Sequence, residues 1–364
     1  MFSPETKRNI SRIIPFGLFW LIFSFVYTLM EKGILGTLDY YPATGNPYTF
    51  AKSVFVTSIS AFIAGLLIGI IEIKYFHRIF IKMSFGKKIL FKSIAYLAII
   101  ISFLLVVSAI VNSLELKANI FTGKVWVNVF AFFSTFAFWS VGVYMAAIIV
   151  VSQFYTEVSE SIGHGVLNNF FTGKYHKAIE EERIFLFLDM NSSTTIAENL
   201  GHVKYFEMLQ EYYADLSEPI IKFSGEVYQY VGDEIIVSWK LANGLQNNNC
   251  IECFFAMKAS IINQENKYKE RFGLLPGFKA GFHIGEVTTG EIGTIKKDII
   301  FTGDVLNTTS RILGLCKIYK TDMLISADLV KKLQLSAQFQ IKSFGENELR
   351  GRDEKIELFT IQQN

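Results

Sequence analysis

Two aspartates and one amide–guanidinium pair are the residues of this sequence whose types and spacing suit chemistry. Asp189 ends a short apolar run, RIFLFLDM, and Asp233 follows Gly232 at the tip of YQYVGDEIIVSW, between two stretches that read as buried strands. Gly-Asp favours the tight bend of a hairpin, so turn formation is one role for Asp233, and helix capping is one for Asp189. If the strands are neighbours, both carboxylates project at one sheet edge and repel unless a cation lies between them. Hard divalent ions take such oxygen ligands together with substrate phosphates. The helix expected after Asp189 begins with unpaired N–H groups, a seat for phosphate oxygens. Glu234, beside Asp233, reads as a solvated turn residue.

Downstream, TGDVLNTTSRI places Asn307 and Arg311 four residues apart, on one face of a helix that Asp304 is expected to cap. An amide can orient a sugar hydroxyl, and an Arg fork can neutralise charge building on a phosphate. Arg350 and Arg352, in LRGRDE, could reach a polyphosphate or form a solvated basic turn. Cys250 and Cys253 have CxxC spacing, but no second pair completes a zinc site, and the five histidines show no ligand spacing.

The elements that must position these residues read, from Arg183, as strand, helix, two strands, helix, strand. The first helix begins at a Thr195/Glu198 capping box and runs to about Ile221, and the second runs from about Asn248 to Arg271. GFKAGFHIGEVTTGEIG reads as strands with Gly punctuation, followed by DIIFTG, the third helix, and strands at MLIS, FQIKSF and KIELFTI. This order is an α+β ferredoxin-like sandwich with additions on its C-terminal side.

The preceding half is different. Hydrophobic residues are 51% of the 364, and they concentrate in four runs, Ile13–Met30, Val54–Ile73, Ile89–Val111 and Val125–Phe154. Each approaches or exceeds the roughly 20 residues that cross a bilayer. Lys74, Arg78, Lys82, Lys87, Lys88 and Lys92 lie between the second and third runs without any acid, which keeps that segment in the cytoplasm. Four crossings then leave the N-terminus and the soluble half cytoplasmic, in a multi-pass protein of the cell membrane. Glu72 lies near a cytoplasmic end of its run. The division expected is a transmembrane region over 1–154, a transmitting linker over 155–182 and a catalytic domain over 183–364. A formal net charge of +2 gives no basic field for nucleic acid.

Taken in order, FLDMNSSTTIAENLG, YVGDEIIVSW, GFHIGEVTTGEIG and GDVLNTTSR resemble the class III nucleotidyl cyclases, the adenylate and guanylate cyclases, over about Arg183–Ile361. The resemblance implies two Mg²⁺ or Mn²⁺ ions held by Asp189, Asp233 and the Met190 carbonyl. It implies ribose and transition-state contacts from Asn307 and Arg311, and terminal phosphates held by Arg350. Ser192, Ser193 and Thr194 fall in the loop over the phosphates, where Ser192-Ser193 replaces the family's usual Gly-Phe. Base recognition falls at Gln229 and Ile300. Neither is the family's usual adenine or guanine pair; Gln both donates and accepts. ATP is the substrate favoured, with GTP the alternative. A silent receptor-like domain is a third reading. The family builds its site between two catalytic domains, so a chain with one such domain is expected to act as a homodimer. A diguanylate cyclase would show a GG(D/E)EF turn, whereas this turn is Val-Gly-Asp-Glu-Ile.

Overall fold

The computed structural model describes residues 3–42, 47–81, 83–350 and 354–363. Lys82 and Arg352 lie outside these described residues. The chain forms two compact units, Thr6–Asn168 and, with a few N-terminal residues, Asn169–Asn364.

The first unit contains α1 (Pro4–Leu35), then α2 (Phe50–Ile71), which continues through a π-helical turn (Glu72–Phe76) into α3 (His77–Phe80). It is completed by α4 (Phe85–Glu115), α5 (Gly123–Phe133) and α6 (Phe136–Ile162). Four of its helices, α1, α2 with α3, α4 and α6, are long and apolar enough to cross a membrane. The run 125–154, expected as one span, is broken. Its first part is α5, and Thr135 then caps α6, its Oγ1 accepting from the Phe138 N–H at 3.2 Å. A Ser-Thr pair inside an apolar run looks like tolerated polarity, but here the hydroxyl starts a new helix.

The basic stretch between the second and third runs also differs from expectation, because Lys87, Lys88 and Lys92 lie within α4 and Lys92 is buried. Its Nζ is 2.5 Å from Glu72 Oε1 and 2.7 Å from Glu157 Oε1, and the Tyr96 hydroxyl donates to Glu72 Oε2 at 2.8 Å. Glu72 is therefore one arm of a buried ion triad. Arg12 and His77 pair with Glu160 in the same unit.

In the second unit, after α7 (His164–Thr172), β1 (Ile179–Met190) starts four residues earlier than the apolar run alone indicates. The helical pattern that follows is two helices, α8 (Ser193–Leu200) and α9 (His202–Lys222), separated by Gly201 at φ +75°. The capping box is not formed. The N-cap of α8 is Ser192, in the left-handed region at φ 57°, with no side-chain cap bond. β2 (Glu226–Val231) and β3 (Glu234–Lys240) form the expected hairpin. Next come α10 (Leu241–Leu245), α11 (Asn249–Asn263) and α12 (Glu265–Phe272), two helices where one was expected between Asn248 and Arg271. β4 (Phe278–Ile292) is one 15-residue strand through all its glycines. β5 (Asp298–Thr302), α13 (Asp304–Tyr319), β6 (Met323–Ser326), α14 (Ala327–Val330), β7 (Phe339–Asn347) and β8 (Ile356–Gln363) complete the unit. The cap of α13 is Gly303 rather than Asp304, whose Oδ2 instead accepts from the Thr308 hydroxyl at 3.2 Å.

The sheet order is β2-β3-β1-β4-β6-β8-β7, with β5 paired to β4. Its first four strands, all antiparallel neighbours, are the ferredoxin-like core, and the rest are the C-terminal additions. Alternation along β1 sorts its side chains onto two faces. Ile184, Leu186 and Leu188 join the large core beneath α9 and α11, while Phe185 and Phe187 join Val305 and Leu313 of α13 on the other side.

Candidate active site

Asp189 continues the Phe185–Phe187 row and therefore emerges on the α13 face. In the ladder it stands opposite Glu234 of β3 and Lys279 of β4, so three ionisable groups line up across adjacent strands. Lys279 Nζ lies 3.0 Å from Asp189 Oδ2. Asp233, in the β2–β3 turn beside Glu234, is close enough to Asp189 for its carboxyl to act on it. Burial raises the Asp189 pKa, the Lys279 ammonium pulls it back and the Asp233 carboxyl pushes it up; the net shift is upward. Glu234 is the first residue of β3 and half-buried, which corrects its reading as a solvated turn residue. Burial, then the Asp189 and Asp233 charges, raises its pKa as well.

The turn is held from α9. Gly232 adopts φ +64°, and the Tyr213 hydroxyl donates to the Gly232 carbonyl at 2.9 Å. Burial raises the pKa of Tyr205, also on α9, and the Asp233 and Asp189 charges add to that. Met190 is buried at the end of β1, and the Asn191 N–H donates to the Gly277 carbonyl at 2.9 Å. Ser192, Ser193 and Thr194 follow as the cap and first turn of α8, where backbone N–H groups have no partner within the helix. Crowded carboxylates whose protons are held more tightly than usual, next to a row of amides, suit divalent ions carrying a phosphate. Among the described residues no cluster of three or more His, Cys, Asp and Glu has ligand geometry, so substrate and solvent oxygens would complete the coordination.

Asn307 and Arg311 are positioned by how closely α13 lies on β4. A Cβ on Gly281 would stand 2.5 Å from Leu313 N and 2.8 Å from Thr309 O, and one on Gly285 would stand 3.0 Å from Val305 Cβ. The buried stripe of α13 is Val305, Thr308, Thr309, Ile312, Leu313 and Cys316. Asn307 is exposed and Arg311 half-buried on the other side of the helix, turned away from the sheet that carries Asp189. One chain thus presents the acid pair and the amide–guanidinium pair in different directions.

Gln229 is exposed on β2 and Ile300 half-buried on β5, and the structure links their neighbours. The Phe301 N–H donates to the Tyr228 hydroxyl at 3.3 Å, and the two rings lie 4.7 Å apart. Arg350 is exposed in the turn after β7. Sequence reasoning missed Lys279, Tyr213 and Tyr205. Lys279 had a signal, since it is the one charge in the GFKAGF stretch, but only strand register reveals its partner. The tyrosines carried none, because aromatic residues on an amphipathic helix read as core.

The family described as "Adenylate and Guanylate cyclase catalytic domain" matches residues 176–363. Adenylate cyclase 2 of Rhizobium meliloti (strain 1021) is 33% identical over 208 residues, 57% of this chain and 57% of that protein. Adenylate cyclase of Anabaena cylindrica is 27% identical over 188 residues, 48% of this chain and 36% of that protein. The chain therefore spans little more than half, or less, of these relatives. A solved bacterial light-regulated adenylyl cyclase superposes with a TM-score of 0.53 at 19% identity, over 63% of this chain and 64% of that one. With half of its length matched by the family and its sheet carrying both the paired acids and the Asn/Arg helix, the chain belongs to the adenylate and guanylate cyclase catalytic-domain family.

Proposed function

We propose that this protein is a membrane-anchored adenylate cyclase that converts ATP to 3′,5′-cyclic AMP and pyrophosphate at sites shared by two copies of the chain. The observation that carries the reading is the Asp189–Asp233 pair, brought together by strand register and turn, facing Lys279 and the start of α8. Relatives named adenylate cyclase support ATP over GTP. The four apolar helices support membrane anchoring, and the acid-free basic stretch between the second and third runs supports cytoplasmic placement of the catalytic unit.

Asp189, Asp233 and the Met190 carbonyl hold the divalent ions. The chemistry supplied by bound Mg²⁺ or Mn²⁺ is activation of the ribose 3′-hydroxyl and neutralisation of triphosphate charge. The 3′-hydroxyl loses its proton to solvent, its oxygen bonds to the α-phosphorus, and the bond from that phosphorus to the bridging oxygen breaks, its electron pair leaving with pyrophosphate. Lys279 and the α8 amides around Ser192, Ser193 and Thr194 take triphosphate oxygens, and Arg350 the terminal ones. On the partner copy, Asn307 orients the ribose and Arg311 donates to the reacting phosphate as charge develops. Gln229 and Ile300 contact the base.

The outward direction of Asn307 and Arg311 supports sharing between copies, because a two-fold pair brings each such helix to the other copy's acids. The test is co-expression of full-length Asp189→Ala and Arg311→Ala. Each variant alone is expected to make no cyclic AMP, whereas random pairing restores about a quarter of wild-type activity, from one intact site in half of the dimers. A mixture that dimerises and stays dead refutes shared sites.

A further inference from the structure

Arg183 is a charged residue in the wrong place for a solvated strand. It sits on β1, only 1% exposed, six residues before Asp189. Both terminal nitrogens of its guanidinium are hydrogen-bonded, whereas its buried Nε has an acid nearby but no hydrogen-bond partner. Nη1 donates to Ser238 Oγ of β3 at 2.9 Å, Nη2 to Glu226 Oε2 of β2 at 2.5 Å, and Nε lies 3.4 Å from Glu181 Oε1. Its Cζ lies over the ring of Phe301 on β5, 4.7 Å from the ring centroid. Phe301 in turn packs edge-on against Phe185 at 5.5 Å and against Tyr228.

Two strands meet at this one cation. β2 is an edge strand, exposed along most of its length and interrupted by a bulge between Val227 and Gln229. β5 is a short strand that pairs only with the far end of β4. Gln229 and Ile300 each stand in a short two-stranded ladder, opposite Ile236 and Gly290. Arg183 ties the first through Glu226 and the second through Phe301, and the Tyr228–Phe301 contact closes the ring. Arg suits this position and Lys does not, because only a planar fork can bond two strands in its plane while stacking on an aromatic face.

We infer that Arg183 is a positioning residue that sets the spacing of the base-reading edge, β2 with Gln229 and β5 with Ile300, and through it the choice of nucleotide. The inference rests on the reading of Gln229 and Ile300 as base contacts. The same cation is joined to the segment that leads into β1. Glu181 also accepts from the Thr289 hydroxyl at 2.8 Å and from the Tyr175 hydroxyl at 3.3 Å, and the Tyr175 carbonyl accepts from the Glu291 N–H at 3.0 Å.

The experiment compares full-length wild type, Arg183→Met, Arg183→Lys and Phe301→Leu. KM and kcat are measured for ATP and GTP with Mn²⁺, alongside inhibition by inorganic tripolyphosphate, which has no base. Arg183→Met is expected to raise KM for ATP about five- to tenfold and to shrink the ATP-over-GTP ratio of kcat/KM by a similar factor. Tripolyphosphate inhibition should stay at the wild-type value. Arg183→Lys should recover little of the ratio. Phe301→Leu leaves the ion pairs intact and breaks the stack, so it should give the same signature and carries the test if Arg183→Met does not fold. An active wild type with variants that keep its nucleotide ratio, or that weaken tripolyphosphate equally, overturns the inference and leaves the functional reading standing. A wild type that turns over neither nucleotide overturns both.

Discussion

Replacing Gly281 by Ala tests how α13, which carries Asn307 and Arg311, is positioned. The added Cβ would sit 2.5 Å from Leu313 N, 2.8 Å from Thr309 O and 2.9 Å from Leu313 Cα, all backbone atoms of α13 that cannot rotate aside. Ordinary contact lies near 3.5 Å, so the helix must retreat by about 1 Å. Asn307 and Arg311 ride on that helix, and misplacement by about 1 Å can cost about 10²-fold in rate. Overpacking should also cost stability of about 1–3 kcal/mol. Gly285→Ala is the graded control, because its Cβ would meet only the Val305 side chain at 3.0 Å, which can shift by a few tenths of an ångström. The assay is the initial rate of cyclic AMP formation by purified full-length protein, with thermal unfolding of the same samples. A folded Gly281→Ala with wild-type kcat, or a Gly285→Ala more damaged than Gly281→Ala, would refute the argument that close backbone approach sets the position of Arg311.

Other outcomes follow from the surrounding structure. Tyr213→Phe removes the donor to the Gly232 carbonyl, so the turn that carries Asp233 should loosen, lowering stability by about 1 kcal/mol and activity more than stability accounts for; unchanged rates would mean the turn holds itself. Lys92→Met leaves Glu72 and Glu157 buried without their shared cation and should cost about 3–5 kcal/mol, seen as loss of folded protein in detergent. Combining it with Glu72→Gln and Glu157→Gln should recover much of that loss, and failure to do so would count against an electrostatic cause. Burial pushes the Cys250 and Cys316 thiols up to about 12, so they stay protonated below that pH. Iodoacetamide should therefore label native protein negligibly at pH 8 and promptly after unfolding; rapid native labelling would contradict the packing of α11 and α13.

What the sequence discloses about this protein is mostly what is local. The Gly232-Asp233 turn, the apolar strand ending at Asp189 and the i, i+4 spacing of Asn307 and Arg311 are visible because short-range chemistry fixes them. Helix breaks are less visible. Gly201 and the Ser134-Thr135 pair interrupt patterns whose periodicity continues on both sides, so the interruption shows only once φ or a cap bond is known. Least visible are charges whose partners are distant in the chain. Lys279 and Arg183 stand out in no local pattern and Lys92 reads as part of a cytoplasmic segment, yet each meets its carboxylate through register or helix packing across 20 to 90 residues. Asp189 itself needed β4 before its neighbourhood could be described.

β1 starts seven residues after α7 ends and carries Asp189 near its other end, about 33 Å away at strand rise. β4 pairs with it from Ile179 to Met190 and β3 from Arg183 to Asp189, so its last part is flanked on both sides. A strand so flanked behaves as a stiff rod and not as a spring. Movement arriving from upstream can hardly be absorbed as slack within it. A displacement at Ile179 would therefore reach Asp189 almost undiminished, so the two ends of β1 move together.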